Sequence, residues 1–354
     1  MQTKEPQGEA YHITQDKQNI RKLREVLATL PAFCKQYFRS IDDTTSARTK
    51  LAYAYDLRTF FNFLHDSNPS LSGTAVKDFP LTLLDQITRE DIEEYIEHIA
   101  LYQKEDRELS NDEHGKARKL SALRSLYAYF FKCELITTNP SVLVNMPKMH
   151  EHAIIRLEPN EVARMLDEVE QGGKLTKQQS RFHKITRDRD VAMISLLLGT
   201  GIRVSECVGL DLNDIDFDVN GIRIHRKGGY EAIVYFGDEV EEALKTYLVT
   251  RNEINPQAGH ENALFLSIQN RRITVRAVEN LVKKYAQTVT TLKKITPHKL
   301  RSTYGTSLYQ ETGDIYLVAA VLGHKDVNMT RKHYADIDDQ NRRMAARKVK
   351  LRKE

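Results

Sequence analysis

The sequence has few of the residues on which disulfide scaffolds, metal modules and membrane spans depend. Its three cysteines, Cys34, Cys133 and Cys207, are far apart and form no CxxC pair. This pattern excludes a disulfide framework, disfavours a zinc module and fits a reducing compartment. The longest apolar run, residues 191–198 with Ser195 inside it, is far shorter than the roughly 20 residues that span a bilayer. The amino terminus is polar and has no apolar signal core, so we expect a cytoplasmic protein without a membrane anchor.

A large excess of charge of one sign is also missing. The chain of 354 residues has 53 Lys and Arg against 49 Asp and Glu, a net charge of +4, which by itself indicates no nucleic-acid partner. The charges are nevertheless segregated along the chain. Acidic residues collect at 85–113 and 211–218, and basic residues collect at 116–132, 172–189 and 341–354. The small net charge is therefore a near-cancellation between segments.

Proline and glycine are scarce, with 9 and 16 residues, and the apolar residues recur mostly with helical spacing. A chain of this length corresponds to two domains at about 150 residues each. We predict a mainly α protein whose parts are a helical extension at 1–40, a helical domain at 41–148, a linker at 149–157, a second domain at 158–340 and a basic carboxy-terminal segment at 341–354.

The first domain is predicted from three helical patterns. A helix runs from about Lys17 to Phe38 and is broken or kinked at Pro31. The next helix is capped near Ser46. A third, at 116–132, has five basic residues and no acid. We expect this domain to contain helices alone.

The second domain contains the one clear strand pattern. Apolar and polar residues alternate over 215–236, where the segments GIRIH and EAIVYF flank residues 226–229 and predict two strands and a turn. The polar, mostly basic stretch 172–189 is interpreted as a connection between helices, and a buried helix follows it at 190–198. The second domain is therefore predicted to be helical with a small antiparallel sheet.

Six side chains of the second domain stand in short, glycine-containing or polar stretches. Taken singly, each has an ordinary structural explanation as a surface arginine, a solvated hairpin lysine, a capping histidine or a packed tyrosine. Two of them, His298 and Arg301, are one helical turn apart and therefore point the same way. The six candidates are Arg203, Lys227, His298, Arg301, His324 and Tyr334.

In this order and context, the six residues resemble the signature of the tyrosine recombinases, the family of Xer-like recombinases and phage integrases. That signature runs arginine, hairpin lysine, H-x-x-R, histidine, tyrosine. The resemblance implies a helical, SAM-like core-binding domain followed by a catalytic domain. It also implies that DNA is cut and rejoined through a 3′-phosphotyrosine and a Holliday junction, without a cofactor or ATP. The sequence departs from many family members in having Ser302 in place of a second histidine. Tyr334 follows His324 by ten positions, as in many integrases, whereas Xer proteins often have nine.

The residue types agree with this chemistry. Two arginines recognise phosphate oxygens with a permanent charge, and two histidines donate to the same oxygens or handle the tyrosine proton. A hairpin lysine protonates the leaving 5′ oxygen, and Tyr334 attacks phosphorus as the nucleophile.

No metal site is predicted. Asp211, Asp214, Asp216 and Asp218 are interpreted as turn residues. A zinc site is not expected either, because its possible ligands lack the spacing of zinc ligands; they are His298, His324, His333 and Cys207.

We expect double-stranded DNA with a roughly palindromic core site as the partner, gripped by basic helices of the first domain. The resemblance further implies a homotetramer on two sites, in which segment 341–354 docks onto a neighbouring protomer, and it leaves room for an accessory protein. The predicted DNA-binding residues are Arg48, Lys50, Arg58, Lys116, Arg118, Lys119 and Arg124.

The overall plan is similar to the single-protein Xer recombinases of streptococcal type, which implies a role in chromosome dimer resolution near the nucleoid. The main alternative is an integrase of a mobile element. A type IB topoisomerase and a non-catalytic DNA-binding protein on the same fold rank below both.

Overall fold

A computed structural model describes most of the chain, namely residues 10–104, 107–150, 155–226, 230–324 and 326–327. Lys227, Tyr334 and segment 341–354 lie outside the described residues. None of the helices in these ranges combines the length and apolarity of a membrane span. The chain divides into a first unit, residues 11–152, and a second unit that starts at residue 153.

The first unit is mostly helical but contains one β-hairpin. Its elements are α1 (Tyr11–Leu27), α2 (Cys34–Ser40), α3 (Ala47–Ser67), α4 (Leu83–Gln86), α5 (Arg89–His98), β1 (Leu101–Lys104), β2 (Arg107–Ser110) and α6 (Glu113–Lys132). Pro31 lies between α1 and α2, which confirms the predicted break. Ser46 caps α3 by accepting the Thr49 N–H at 3.3 Å, as predicted.

The expectation of helices alone in this unit was wrong. Strands β1 and β2 pair antiparallel, with Leu101 opposite Ser110 and Tyr102 opposite Leu109. Strands of four residues are too short to show an alternating pattern, and their stability comes from pairing across the turn.

Aromatic side chains fill the core of the first unit. Phe60 and Tyr95 meet edge to face with ring centroids 5.0 Å apart. Leu23 and Val26 of α1 are buried in the same cluster, so part of the predicted extension 1–40 packs within this core. The fully buried rings are Tyr37, Phe60, Phe61, Tyr95, Tyr127 and Phe130.

The second unit is helical with one antiparallel sheet in the order β3-β4-β5, in which β4 and β5 are the two strands that the sequence predicted and β3 is an additional short strand. Its elements are α7 (Pro159–Gln171), α8 (Lys177–Thr200), α9 (Val204–Gly209), β3 (Ile215–Asp216), β4 (Gly221–Arg226), β5 (Tyr230–Tyr235), α10 (Asp238–Glu253), α11 (Val275–Val289), α12 (Pro297–Thr312) and α13 (Ile315–Leu322).

The interpretation of 172–189 as a connection was wrong for most of its length, because α8 begins at Lys177. Thr176 and Gln179 form a capping box that starts the helix. The buried His183 ring lies 2.7 Å from the Val169 carbonyl oxygen, through Nε2. Buried Asp190 accepts from the Tyr285 hydroxyl at 3.0 Å and so joins α8 to α11. A search for apolar residues at helical spacing does not detect these polar contacts.

Candidate active site

Two helices of the second unit end on left-handed glycines one or two positions before candidate residues. Gly201 ends α8 at φ 62° and Gly323 ends α13 at φ 63°. This conformation favours glycine because it has no β-carbon. The space is also closed, since a β-carbon on Gly201 would overlap the Tyr304 ring. The backbone therefore turns sharply just before Arg203 and His324.

Arg203 is held by an acidic residue one turn along α9. Its Nη1 donates to Glu206 Oε1 at 2.7 Å, and its backbone N–H donates to Glu206 Oε2 at 2.7 Å. The Glu206 side chain is 4% exposed, whereas the Arg203 side chain is 36% exposed. A buried carboxylate thus orients a cation that solvent can reach.

Arg301 joins the two helix ends. Its buried guanidinium donates from Nη1 to the Gly201 carbonyl oxygen at 2.6 Å, and from Nη2 to the Leu322 carbonyl oxygen. Carbonyl groups at a helix C-terminus lack partners within the helix and carry partial negative charge, so a guanidinium stabilises them. The end that precedes Arg203 and the end that precedes His324 are therefore fastened to one side chain.

One candidate histidine lies at the start of α12, which carries Arg301, and the other follows the end of α13, to which Arg301 donates a hydrogen bond. His298 is exposed at the start of α12, one turn before Arg301. His324 is half-buried, and its N–H donates to the Ala319 carbonyl oxygen at 2.9 Å, while the Gly323 N–H donates to Ala320 at 3.0 Å. This pair of bonds is the Schellman motif, which fixes the backbone of His324.

Residues 155–341, more than half of the chain, match the model of the phage integrase family. The chain belongs to this family of tyrosine recombinases. It is 31% identical to the tyrosine recombinase XerC of Caldanaerobacter subterraneus subsp. tengcongensis over 329 residues, which are 90% of this chain and 86% of that protein. It is 30% identical to the tyrosine recombinase XerS of Streptococcus thermophilus, over 91% of this chain and 97% of that protein. The predicted enzyme class, a tyrosine site-specific recombinase of the Xer-like group, is confirmed.

Solved structures of other recombinases share the fold of this chain. The XerH recombinase bound to palindromic difH substrate aligns with a TM-score of 0.60 at 18% identity, over 97% of both chains. A lambda integrase dimer bound to a COC' core site aligns with a TM-score of 0.59 at 15% identity, over 84% of this chain and 95% of that one. The mainly helical architecture with a small sheet is thereby confirmed.

The sequence did not single out Arg226, which ends β4 directly before Lys227. Its Nη2 donates to the Val321 carbonyl oxygen at 2.7 Å, across 95 residues of sequence. The only signal was an arginine beside a candidate lysine, and the pattern gave no hint of its partner. Lys227 itself lies outside the described residues.

The aspartate side chains near β3 accept hydrogen bonds from turn backbone or from arginines. Asp214 accepts from Arg223 at 3.1 Å, Asp211 pairs with Arg272, and Asp216 accepts the Asp218 N–H at 2.9 Å. These bonds agree with the predicted turn role. Across the described ranges, no group of three His, Cys, Asp or Glu could hold a metal ion.

Two of the predicted DNA-binding lysines are buried in the first unit. Lys50 pairs with Asp42, and Lys119 lies 3.2 Å from the buried carboxylate of Asp56. The expectation that both face outward was wrong. A carboxylate buried in a core requires a cation beside it, so Lys119 turns inward.

The other basic side chains of this family member differ in what they contact. The exposed side chain of Arg118 also pairs with Asp56. Arg124 was expected to face outward, but it is half-buried and donates to the carbonyl oxygens of Ser141 and Val144. Four residues are at least partly open to solvent and stay predicted DNA contacts: Arg48, Arg58, Lys116 and Arg118.

Proposed function

We propose that this chain is a chromosomal Xer-like recombinase that cuts and rejoins double-stranded DNA through a phosphotyrosine on Tyr334. The observation that carries the proposal is the pair of hydrogen bonds from Arg301 to Gly201 and Leu322. Through them, the helix ends that precede Arg203 and His324 converge on one buried guanidinium. A phosphate between these groups would meet two cationic side chains and two imidazoles.

The proposed reaction exchanges one phosphodiester for another. The Tyr334 hydroxyl oxygen bonds to phosphorus, and the bond from phosphorus to the 5′ oxygen breaks. The phenolic proton passes to the imidazole of His298 or His324, or to water. Lys227 gives a proton to the departing 5′ oxygen. Reversal with a different 5′ hydroxyl rejoins the DNA, and no nucleotide is consumed.

Arg203 and Arg301 have different parts in this proposal. Arg203 is oriented by Glu206 and reaches solvent, so it is suited to hold a non-bridging oxygen in two hydrogen bonds. Arg301 holds the site together and brings a permanent charge into a buried position. In surroundings of low polarity such a charge acts strongly on the developing negative charge of the transition state.

A chromosomal role is supported by the plan of the whole chain. The match to XerS covers 97% of that protein and includes the first unit as well as the second. We propose that four copies act on two DNA sites in the cytoplasm, that segment 341–354 docks onto the neighbouring copy, and that an accessory protein takes part. DNA as the partner is supported by the fold shared with recombinases solved on core sites.

Covalent capture tests the proposal. The protein is expressed in the cells that encode it, denatured in EDTA, and the attached DNA is sequenced to find the site. A synthetic duplex of that site, nicked so that the 5′ product diffuses away, then traps the intermediate in EDTA. We expect an adduct with the wild type and with Tyr316→Phe, whose side chain on α13 is exposed, and none with Tyr334→Phe. An adduct with Tyr334→Phe contradicts the proposal.

The captured DNA also separates the alternatives. A single chromosomal locus supports dimer resolution, whereas the ends of a mobile element indicate an integrase. A topoisomerase would relax one plasmid without forming junctions between paired duplexes.

A further inference from the structure

The carboxy-terminal end of α13 is capped by two arginines from different elements. Arg301 of α12 donates to the Leu322 carbonyl oxygen, and Arg226 of β4 donates to the Val321 carbonyl oxygen at 2.7 Å. Both carbonyls belong to the last turn, where the helix itself supplies no donor. Two cations therefore meet the negative end of the helix that presents His324.

The contact between Arg226 and this helix end is close. The Arg226 guanidinium lies against Gly323, where a β-carbon built on the glycine would overlap its Nη1 and Cζ atoms. Its Nε is buried and has no hydrogen-bond partner among the described residues. A buried donor without a partner has a free-energy cost, so the packing of this guanidinium on the helix end must outweigh that cost.

The position of Arg226 in the sequence connects this contact with the reaction. Arg226 is the residue directly before Lys227, and His324 follows Gly323 directly. The hydrogen bond to Val321 therefore fastens the end of β4, directly before Lys227 in the sequence, to the helix end that precedes His324. Fixing a strand end reduces the conformational entropy that the next residue must lose before it can react.

We propose that Arg226 is a positioning residue that sets Lys227 for protonation of the leaving 5′ oxygen. This inference rests on the proposed function. Arg226 does not contact the reacting atoms in this role, and it acts through the strand end and through Gly323. Its loss should therefore impair the departure of the 5′ oxygen and leave DNA binding intact.

A change of leaving atom tests this inference. Two nicked duplexes of the captured site are compared, one with the natural 5′-bridging oxygen and one with sulfur in its place. A thiolate is a far weaker base than an alkoxide and leaves without a proton. We expect Arg226→Ala to form the adduct about 100-fold more slowly than the wild type on the oxygen substrate. On the sulfur substrate the two rates should agree within a few-fold, as for Lys227→Ala. Arg226→Lys keeps the charge without the planar fork and should show a smaller defect of the same kind.

A glycine pair supplies the matched control. Gly323→Ala displaces the Arg226 guanidinium. Gly313 ends α12 in the same left-handed conformation, but the β-carbon of Gly313→Ala would meet open space. Gly323→Ala should slow the oxygen substrate much more than the sulfur substrate, and Gly313→Ala should slow neither. Thermal unfolding and DNA binding, measured on every variant, show that it is folded.

The outcomes separate this inference from the proposed function. If the wild type forms no adduct at Tyr334, the proposed function fails and the inference fails with it. If Lys227→Ala is rescued by sulfur while Arg226→Ala is equally slow on both substrates, or is as fast as the wild type on both, the positioning role alone is overturned.

Discussion

Arg301 donates a hydrogen bond to the carbonyl oxygen of Gly201, one hundred residues earlier in the chain, at 2.6 Å. The bond joins α12 to the end of α8 and is made by a side chain that is 5% exposed. Because the other arm of the guanidinium binds Leu322, one side chain satisfies two helix ends. The candidate active site is therefore organised around a buried cation.

Arg301→Lys should destabilise the protein and abolish most cleavage. A lysine ammonium lacks the fork that reaches both carbonyls, and a buried acceptor left without a donor costs about 1–3 kcal/mol. We expect the free energy of unfolding to fall by about 2 kcal/mol and adduct formation to slow by about 100-fold or more. Urea unfolding and the nicked-substrate assay measure the two effects.

Arg276→Lys is the matched control for this change. Arg276 is an arginine of α11 whose side chain is 80% exposed and pairs with Glu279. It should alter neither quantity, because exposed ion pairs contribute little. A stable and active Arg301→Lys protein would show that the bridge between the helix ends is dispensable.

Glu206→Gln should slow cleavage without weakening DNA binding. The amide oxygen can still accept from Arg203, but a hydrogen bond to a charged acceptor is about twice as strong as a neutral one. The Arg203 side chain should therefore leave its oriented position more often, and we expect about a tenfold lower rate of adduct formation. Single-turnover rates with saturating protein measure this effect.

The chain offers a second i,i+3 pair for comparison. Glu279→Gln removes the charge from the exposed Arg276–Glu279 pair, where the N–O distance is 3.2 Å, and should not change the rate. If Glu206→Gln is as fast as the wild type, Glu206 caps α9 but does not orient Arg203.

Arg48→Ala and Lys119→Met should separate DNA contact from core structure. Each phosphate contact adds about one to the slope of log affinity against log salt. Removal of exposed Arg48 should reduce this slope by about 1. Removal of buried Lys119 should leave the slope unchanged but lower the free energy of unfolding by about 3 kcal/mol, because Asp56 loses a cation. Binding titrations at several salt concentrations, together with urea unfolding, give both numbers. A reduced slope for Lys119→Met would contradict its assignment to the core.

Asp85 should make the first unit sensitive to acid. Burial would raise the pKa of this carboxyl, but hydrogen bonds from the backbone N–H groups of Thr137 and Thr138, at 2.7 and 3.1 Å, outweigh burial and lower the pKa. An acid with a lowered pKa in the folded state contributes stability above its usual pKa, about 3.9, and loses that contribution as the pH falls through the folded value.

Asp85→Asn measures this contribution. The variant should be less stable than the wild type near pH 7, and the difference should shrink below about pH 4. Hydrogen exchange of the amides in the first unit measures this difference in stability when both proteins are compared at each pH. The exposed residue Asp43, changed to Asn, is the control and should show no such convergence. A difference that is constant over the pH range would rule out the proposed linkage.

Much of the fold follows from local patterns in the sequence. The cap at Ser46, the break at Pro31 and the strands on both sides of residues 226–229 each depend on neighbours within a few positions. The β1–β2 hairpin and the amino-terminal part of α8 were missed. Four-residue strands and a helix anchored by polar side chains such as His183 leave no apolar period to detect.

The basic helices show where a linear pattern stops being informative. Helical spacing places Lys119 on a face of α6, but it does not say which face is covered. That depends on Asp56, which is 63 residues away and buried, and which draws two cations of α6 toward α3. The positive charge of Lys119, on which the prediction of DNA binding was based, instead pairs with the buried carboxylate of Asp56.

The sequence by itself indicated the family of this protein, because six residues stand in the order and local context of the family signature. The tertiary structure alone decided which side chains hold Arg203 and the helix ends before Arg203 and His324. Glu206 is near its partner in sequence, but Arg226 and Arg301 act on carbonyl groups 95, 100 and 21 residues away. Backbone carbonyls at helix ends carry no sequence signature, and only folding brings donors to them.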